Sequence, residues 1–214
     1  MEYLKYVLMI PAVLIALTFH EVSHGYVSYK LGDPTAKNLG RLTLNPIKHI
    51  DPIGAICMLL TGFGWAKPVP VNSRYYKKPR RDMALVAAAG PITNILLAFL
   101  SMLIINIIGL FSVRDNTVAL YIYMAAIMFF SVFAQLNVFL AVFNLIPIPP
   151  LDGSRILYVF LPSKWYFGLM KYEKYIMIVF YIMLFFGRWT TVLDKFAAYV
   201  LNGMQWIISL IPIF

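Results

Sequence analysis

The chain has 214 residues, of which 61% are hydrophobic and 13% are charged, and its mean hydropathy is +0.78. Because soluble domains carry about a quarter charged residues, this composition excludes a soluble protein and predicts one embedded in the lipid bilayer. The net charge of +9 is compatible with a nucleic-acid partner, but the positions of the basic residues argue against one.

These basic residues are clustered along the chain. Of the 18 Lys and Arg residues, ten fall between Lys30 and Arg81, and four more follow the third long apolar run. Cytoplasmic loops of membrane proteins collect Lys and Arg, so these clusters predict loops against anionic headgroups on the cytoplasmic side. We therefore expect no nucleic-acid partner, a multi-pass protein of the cell membrane, and an N-terminus outside the cell.

The first predicted helix runs from about Lys5 to Tyr29 and carries a polar cluster near its end. A Gly-, Pro- and Asn-rich stretch from Gly32 to Gly54 interrupts any helix that would follow. Residues Ala55 to Gly64 are apolar but too few to cross the bilayer, which favours a re-entrant or interfacial segment. Residues Trp65 to Asn72 read WAKPVPVN, and the alternating valines and prolines predict an edge strand or an extended loop.

Four further apolar runs follow in the second half of the chain. They cover about Asp82 to Leu110, Thr117 to Phe143, Tyr172 to Phe186, and Phe196 to Pro212. With the first helix they predict an all-α polytopic membrane protein with about five transmembrane helices. A short amphipathic helix is expected from Gly153 to Leu161.

The domain organisation predicted from these runs is simple. Residues 1–153 form a membrane-embedded core, residues 154–214 add C-terminal helices, and no separate soluble domain is expected.

The polar cluster in the first helix is His20-Glu21-Val22-Ser23-His24, an H-E-x-x-H pentad. Residues four apart lie on one helical face, so both imidazoles can bind one zinc ion while Glu21 acts as general base for the attacking water. The alternative is that these are polar helix residues satisfied by neighbouring groups. Burying ionisable groups in a bilayer is costly, however, and such groups usually have a function.

A catalytic zinc site needs a third protein ligand, for which the candidates are His49 and the remaining acids. Asp152 differs from the other acids because it follows NLIPIPPL, an apolar stretch that breaks the third crossing. Non-helical backbone at membrane depth occurs only where protein or a water-filled cavity covers it. The alternative is that Asp152 forms a turn or caps the next helix. Asp152 and His24 both precede basic anchors closely, which predicts that they share the inner half of the bilayer.

Three motifs together resemble the signatures of the site-2 protease family of intramembrane zinc metalloproteases. They are the pentad His20 to His24, the segment Gly90 to Asn94, and the segment Asn144 to Gly153. The stretch from Leu31 to Pro52 is similar to the small prokaryotic branch, which lacks PDZ and CBS domains. The resemblance covers Phe19 to Gly153, whereas the C-terminal residues that follow match in hydrophobicity alone.

The resemblance implies one Zn²⁺ ion per chain, held by His20, His24 and Asp152, with Glu21 as base and electrophilic partner. It implies substrates that are transmembrane or membrane-anchored proteins. It also suggests that Asn144 and its loop hold the substrate backbone and that Asn94 supports the site. Alternatively, either asparagine serves only to form hydrogen bonds between helices.

The resemblance further suggests that the segment Trp65 to Asn72 pairs with an unwound substrate by strand addition, although a plain loop is the alternative. His49 is interpreted as a surface-loop histidine rather than a regulatory or transient fourth ligand. Small residues of the second crossing, Gly90 among them, are expected to let that helix pack closely against the pentad helix.

Two other classes of function remain open from the sequence. A divalent-cation transporter would also place histidine and acidic residues in the membrane, but it would usually show broken helices in both halves. A membrane scaffold without activity would leave the pentad and Asp152 unexplained. The substrate and the oligomeric state do not follow from the sequence.

Overall fold

The computed structural model describes residues 2–61, 64–111, 117–186 and 189–211. Within these ranges the chain is helical and contains no strand, which confirms the all-α prediction. The helices are α1 (Glu2–Lys30), α2 (Thr35–Asn38), α3 (Pro52–Thr61), α4 (Pro79–Gly109), α5 (Thr117–Asn144), α6 (Asp152–Leu157), α7 (Ser163–Phe186) and α8 (Trp189–Ser209). Two 3₁₀ turns lie at Pro46–His49 and Ser73–Tyr75.

Three described helices are long and apolar enough to cross a membrane, at Leu4–Lys30, Pro79–Gly109 and Val118–Asn144. They correspond to the first three predicted crossings. The predicted total of about five is not confirmed, because α7 and α8 are helices but do not meet the same test. The first half of α7 carries Lys164, Lys171, Glu173 and Lys174, and charged groups are costly within hydrocarbon.

The helices α1, α4 and α5 pack against one another and form the centre of the protein. Ala12 and Ala16 of α1 meet Val132 and Phe133 of α5 in one buried cluster. Small side chains let helix backbones approach closely, which is how helices associate in a bilayer. The short helix α6 packs against α4, so the three sequence motifs face a common centre.

The predicted edge strand at residues 65–72 is not confirmed. Residues 64–72, hereafter the extended segment, make a single antiparallel bridge, between Ile50 and Ala66. A ladder cannot continue from this bridge because Pro68 and Pro70 lack amide donors. The helix α3 before it has ten residues, too few to cross the bilayer, and its re-entrant placement stays a prediction.

A buried carboxylate, Asp33, ties the extended segment to the end of α1. It accepts hydrogen bonds from Ser28 Oγ at 2.8 Å, from the Asn72 backbone N–H at 2.7 Å, and from the backbone N–H and the hydroxyl of Thr35. Burial alone would raise the pKa of Asp33, but these donors outweigh it and lower the pKa below its usual value. The ionised carboxylate therefore fixes where the extended segment runs beside α1.

Candidate metal centre

Three side chains converge at the centre of the helices, as the sequence predicted. His20 and His24 lie on one face of α1, and Asp152 is the first residue of α6. The two Nε2 atoms are 3.0 Å apart, and Asp152 Oδ2 lies 3.2 Å from His20 Nε2 and 3.3 Å from His24 Nε2. Among the described residues, these form the group of histidine, cysteine and acidic side chains that could hold a metal ion.

The hydrogen bonds of the two imidazoles fix which nitrogens face the centre. His24 Nδ1 lies 2.7 Å from the carbonyl oxygen of Val86, which can only accept, so Nδ1 carries the proton. His20 Nδ1 donates in the same way to Asn94 Oδ1 at 2.6 Å. In neutral imidazoles this leaves both Nε2 atoms as acceptors, and they point at one another and at a carboxylate.

This arrangement fits a zinc ion. Two imidazole nitrogens and one carboxylate oxygen are typical ligands of catalytic zinc, which binds them at about 2.1 Å in tetrahedral geometry. Tetrahedral ligands at that distance lie about 3.4 Å apart, close to the observed separations. Asp152 Oδ2 is also buried without a hydrogen-bond donor among the described residues. A zinc ion bound here would satisfy all three acceptors at once.

A chain of buried amides holds His20 in place. Asn94 is fully buried, and its Nδ2 donates to Asn137 Oδ1 at 2.7 Å. Asn137, also fully buried, donates in turn to the Phe133 carbonyl at 2.8 Å. Partners of this kind set the tautomer and orientation of metal-binding histidines. The substrate contact suggested for Asn94 stays a prediction, since the contacts of its amide are with His20 and Asn137.

Sequence reasoning missed two of these supporting groups. Asn137 is an amide within the apolar helix α5, and a polar residue in that setting is a signal of function that could have identified it. The Val86 carbonyl could not have been found, because a backbone group has no residue type to recognise.

Gly90 lies where α4 passes the two histidines. A Cβ atom built at this position would lie 2.5 Å from His20 Cε1 and 2.6 Å from His24 Nε2. Both imidazoles are held by hydrogen bonds and cannot move aside freely. The prediction that small residues allow α4 to pack against α1 is confirmed at this point, and glycine is the residue that leaves room for the two imidazoles.

We expect Gly90→Ala to lower the bound zinc to less than about a tenth of the wild-type content at limiting metal, because loss of ligand orientation costs about 10- to 100-fold in affinity. Zinc per chain is measured by elemental mass spectrometry after dialysis against a competing chelator. Gly109→Ala is the matched control, since it lies on the same helix and a Cβ there meets nothing within 4 Å. Equal zinc in both variants would contradict the prediction.

Glu21 lies between the two histidines on α1 and outside the group of three ligand atoms. Its Oε2 accepts a hydrogen bond of 2.7 Å from the backbone N–H of Val69, in the extended segment. The segment comes this close because residue 25 is glycine: a Cβ on Gly25 would lie 2.8 Å from Val69 Cγ1. The carboxylate is therefore oriented by a backbone donor that sequence reasoning did not identify.

The start of α6 is positioned by glycine as well. A Cβ on Gly153 would lie 2.2 Å from the Leu145 carbonyl oxygen, so α6 sits directly on the backbone that follows α5. The residue before α6 that acts as N-cap is Leu151, and it makes no side-chain cap. Asp152 therefore does not serve as the cap, and its carboxylate faces the histidines.

Asn144 is the last residue of α5, and its Nδ2 donates to the Leu140 carbonyl at 2.9 Å within that helix. Its predicted contact with the substrate backbone stays a prediction.

The interpretation of His49 as a surface-loop histidine is wrong. Its side chain is buried, with 2% of the residue exposed, because the 3₁₀ turn Pro46–His49 packs against α1. Its Nε2 lies 2.8 Å from the Thr43 carbonyl oxygen. His49 is not a member of the His20, His24 and Asp152 group.

The chain is similar to a family of peptidases and to several named proteins. The model of peptidase family M50 matches residues 8–187. YwhC of Bacillus subtilis, named a candidate zinc metalloprotease, is 43% identical over 176 residues, which are 82% of this chain and 78% of YwhC. Rip2 of Mycolicibacterium smegmatis, named likewise, is 29% identical over 153 residues, 69% of this chain and 55% of Rip2. A protein of Methanocaldococcus jannaschii with the same kind of name is 30% identical over 155 residues, 72% of this chain and 71% of its own length. No solved structure matches the chain.

Proposed function

The chain belongs to peptidase family M50, and on that premise we propose that it is an intramembrane zinc metalloprotease. It hydrolyses peptide bonds in transmembrane or membrane-anchored proteins. The observation that carries the proposal is the convergence of His20 Nε2, His24 Nε2 and Asp152 Oδ2 beside Glu21, on helices apolar enough to span a bilayer.

In the proposed mechanism His20, His24 and Asp152 hold one Zn²⁺ ion per chain. When bound, zinc would act as a Lewis acid that activates a water molecule and polarises the scissile carbonyl. Glu21 takes the proton from the attacking water and passes it to the nitrogen of the leaving amine. The hydrogen bond from the Val69 N–H to Oε2 fixes the orientation of the Glu21 carboxylate. The hydrogen bond from His20 Nδ1 to Asn94 keeps the imidazole proton on the side of the ring away from the metal.

The substrate is a membrane helix, whose own hydrogen bonds shield its peptide carbonyls. Cleavage therefore requires local unwinding next to Glu21. The extended segment and the loop that starts at Asn144 are the proposed contacts for the unwound backbone, with Asn94 as a further polar group. The backbone of the extended segment already binds Glu21 through Val69, which supports this choice of surface.

We propose that the N-terminus lies outside the cell and the zinc site in the cytoplasmic half of the bilayer. The support is the clustering of basic residues after α1 and before α4, together with those around α6 and the first half of α7. In this arrangement α7 and α8 complete five crossings. Residues 1–153 form the protease core, and residues 154–214 form helices that support it.

The test uses purified protein in vesicles of phosphatidylcholine and phosphatidylglycerol. Its substrate is a pool of synthetic single-span peptides with about 20 apolar residues, randomised along the span, and products are identified by mass spectrometry. We expect one zinc ion per chain. Removing the zinc with a chelator is expected to lower cleavage at least about 100-fold, because activation of the water and polarisation of the carbonyl both depend on the metal. Adding zinc back should restore cleavage.

Other outcomes separate the rival functions. Movement of zinc across the vesicle membrane without cleavage would indicate a transporter. Binding of the peptides without cleavage, in protein loaded with zinc, would indicate a scaffold. Either result would overturn the proposal.

A further inference from the structure

Asp33 is a fully buried acid that the proposed mechanism does not use. Both oxygens of its carboxylate accept hydrogen bonds. Oδ2 accepts from Ser28 Oγ and from the Asn72 N–H, and Oδ1 accepts from the N–H and the hydroxyl of Thr35. These bonds join three separate parts of the chain, which are the last turn of α1, the start of α2 and the end of the extended segment.

An amide could not replace this carboxylate. Each oxygen receives a backbone N–H, whereas an asparagine side chain has one oxygen and one NH₂ group. In either orientation of the amide, the NH₂ group would face the N–H of Asn72 or of Thr35, so that two donors would meet. Leaving a buried donor unpaired is unfavourable, and the network therefore requires an ionised acid at position 33.

The bond to the Asn72 N–H fixes one end of the extended segment. The other end is fixed at Lys67, whose N–H donates to the His49 carbonyl at 2.9 Å and whose carbonyl accepts from Arg41 Nη2 at 2.8 Å. Val69 lies between these two ends, two residues after Lys67 and three before Asn72.

Val69 is the residue through which the extended segment reaches the catalytic base. Its N–H donates to Glu21 Oε2 at 2.7 Å, and its buried side chain packs at Gly25 of α1. Pro70 lies between Val69 and Asn72, and its ring fixes one backbone dihedral angle. A displacement of Asn72 therefore reaches Val69, because the short chain between them has few torsions that could absorb it.

We propose, resting on the function above, that Asp33 is a positioning residue for the catalytic base. Asp33 holds the Asn72 N–H, and the extended segment in turn holds the Val69 N–H at Glu21. The carboxylate of Glu21 thereby keeps the orientation in which it takes a proton from the attacking water. Asp33 is not a member of the group of proposed metal ligands, and its effect on cleavage passes through Val69.

The first measurement needs neither zinc nor turnover. Hydrogen exchange of the Val69 amide is followed in the metal-free protein by mass spectrometry, with fragmentation that resolves single residues. We expect Asp33→Asn to speed this exchange by roughly 10- to 100-fold, because a hydrogen bond to a charged group is weakened or lost. The amides of α1 around the pentad should keep their wild-type protection.

Asp82→Asn is the matched control. Asp82 is also a buried acid, with 4% of the residue exposed, and it accepts a backbone hydrogen bond from the Lys78 N–H at 2.9 Å at the start of α4. The oxygen of an amide can accept that bond as well. Exchange at Val69 should therefore stay at the wild-type rate in this variant.

The second measurement is cleavage of the single-span peptide pool. We expect Asp33→Asn to lower the rate by roughly 10- to 100-fold with zinc still at one ion per chain, since a small misplacement of a catalytic group has an effect of that size. In the Glu21→Gln background the same substitution should change the residual rate by less than about 2-fold, because residues that act through one group are not additive. A general loss of folding would lower the rate equally in both backgrounds.

The outcomes distinguish this inference from the proposed function. Unchanged exchange at Val69 in folded Asp33→Asn would overturn the inference, since the Lys67 end alone would then hold the segment. Loss of zinc in this variant would also overturn it, because Asp33 would then support the whole site. If the wild type cuts no more than Glu21→Gln, the proposed function fails, and the exchange measurement still decides the inference.

A second variant serves if Asp33→Asn does not fold. Thr35→Val keeps the size of the side chain and the charge of Asp33 but removes one donor from the carboxylate. It should speed exchange at Val69 by roughly 3- to 10-fold, the value of one neutral donor. Exchange at the wild-type rate in this variant would overturn the inference.

Discussion

Replacing Glu21 with glutamine is expected to lower cleavage of the single-span peptide pool by at least about 100-fold, the typical contribution of a general base. The bound zinc should stay at one ion per chain. The amide has the shape of the carboxylate but cannot take a proton from water. Its oxygen can still accept the Val69 N–H bond that Oε2 accepts in the wild type, so the extended segment is expected to stay in place.

The measurement pairs product formation with zinc content and thermal unfolding of the same sample. Asp194→Asn is the control for carboxylate-to-amide exchange, because Asp194 is an exposed residue of α8 and should retain full activity. Normal cleavage by Glu21→Gln would refute the role of this residue. Loss of zinc together with activity would instead assign Glu21 to holding the site.

The convergence of the three proposed ligands could be predicted because their signals are local in the sequence. The pentad places His20 and His24 on one helical face by spacing alone. Asp152 stood out as an acid after an apolar break, and the family resemblance then singled it out. In the structure all three meet within hydrogen-bonding distances.

The parts that could not be predicted depend on backbone groups or on packing between distant segments. The Val69 N–H and the Val86 carbonyl orient Glu21 and His24, but any residue could supply them. The burial of His49 follows from the packing of a 3₁₀ turn on α1, which no local pattern indicates. In the extended segment the alternating valines suggested a strand. Pro68 and Pro70, however, have no backbone N–H to donate, and a ladder of hydrogen bonds cannot form there.

Three glycines allow the close packing between segments on which the site depends. Gly90 makes room for the ligands, Gly25 for Val69, and Gly153 for the backbone after α5. Each would read in the sequence as a generic small residue of a membrane helix. Each in fact allows a close approach that positions one part of the site: the two imidazoles, the Glu21 carboxylate or Asp152.

Replacing Asp152 with asparagine is expected to lower zinc affinity by at least about 100-fold, more than the loss of a supporting hydrogen bond costs. The change removes the negative charge among the ligands while keeping the size of the side chain. As a first-turn residue, asparagine loses only the interaction of the charge with the helix dipole, about 0.3–1 kcal/mol. A purely structural role for Asp152 in starting α6 would therefore survive the substitution, whereas ligation would not.

Zinc per chain after dialysis against a graded series of chelators measures this effect, and Asp194→Asn again serves as the control. Thermal unfolding in excess zinc should show that the variant is folded, and the stabilisation that zinc adds should shrink, because a ligand stabilises a protein according to its affinity. An unchanged zinc stoichiometry across the series would refute ligation by Asp152. His20 and His24 would then hold the metal with a partner other than the carboxylate that faces them at 3.2 and 3.3 Å.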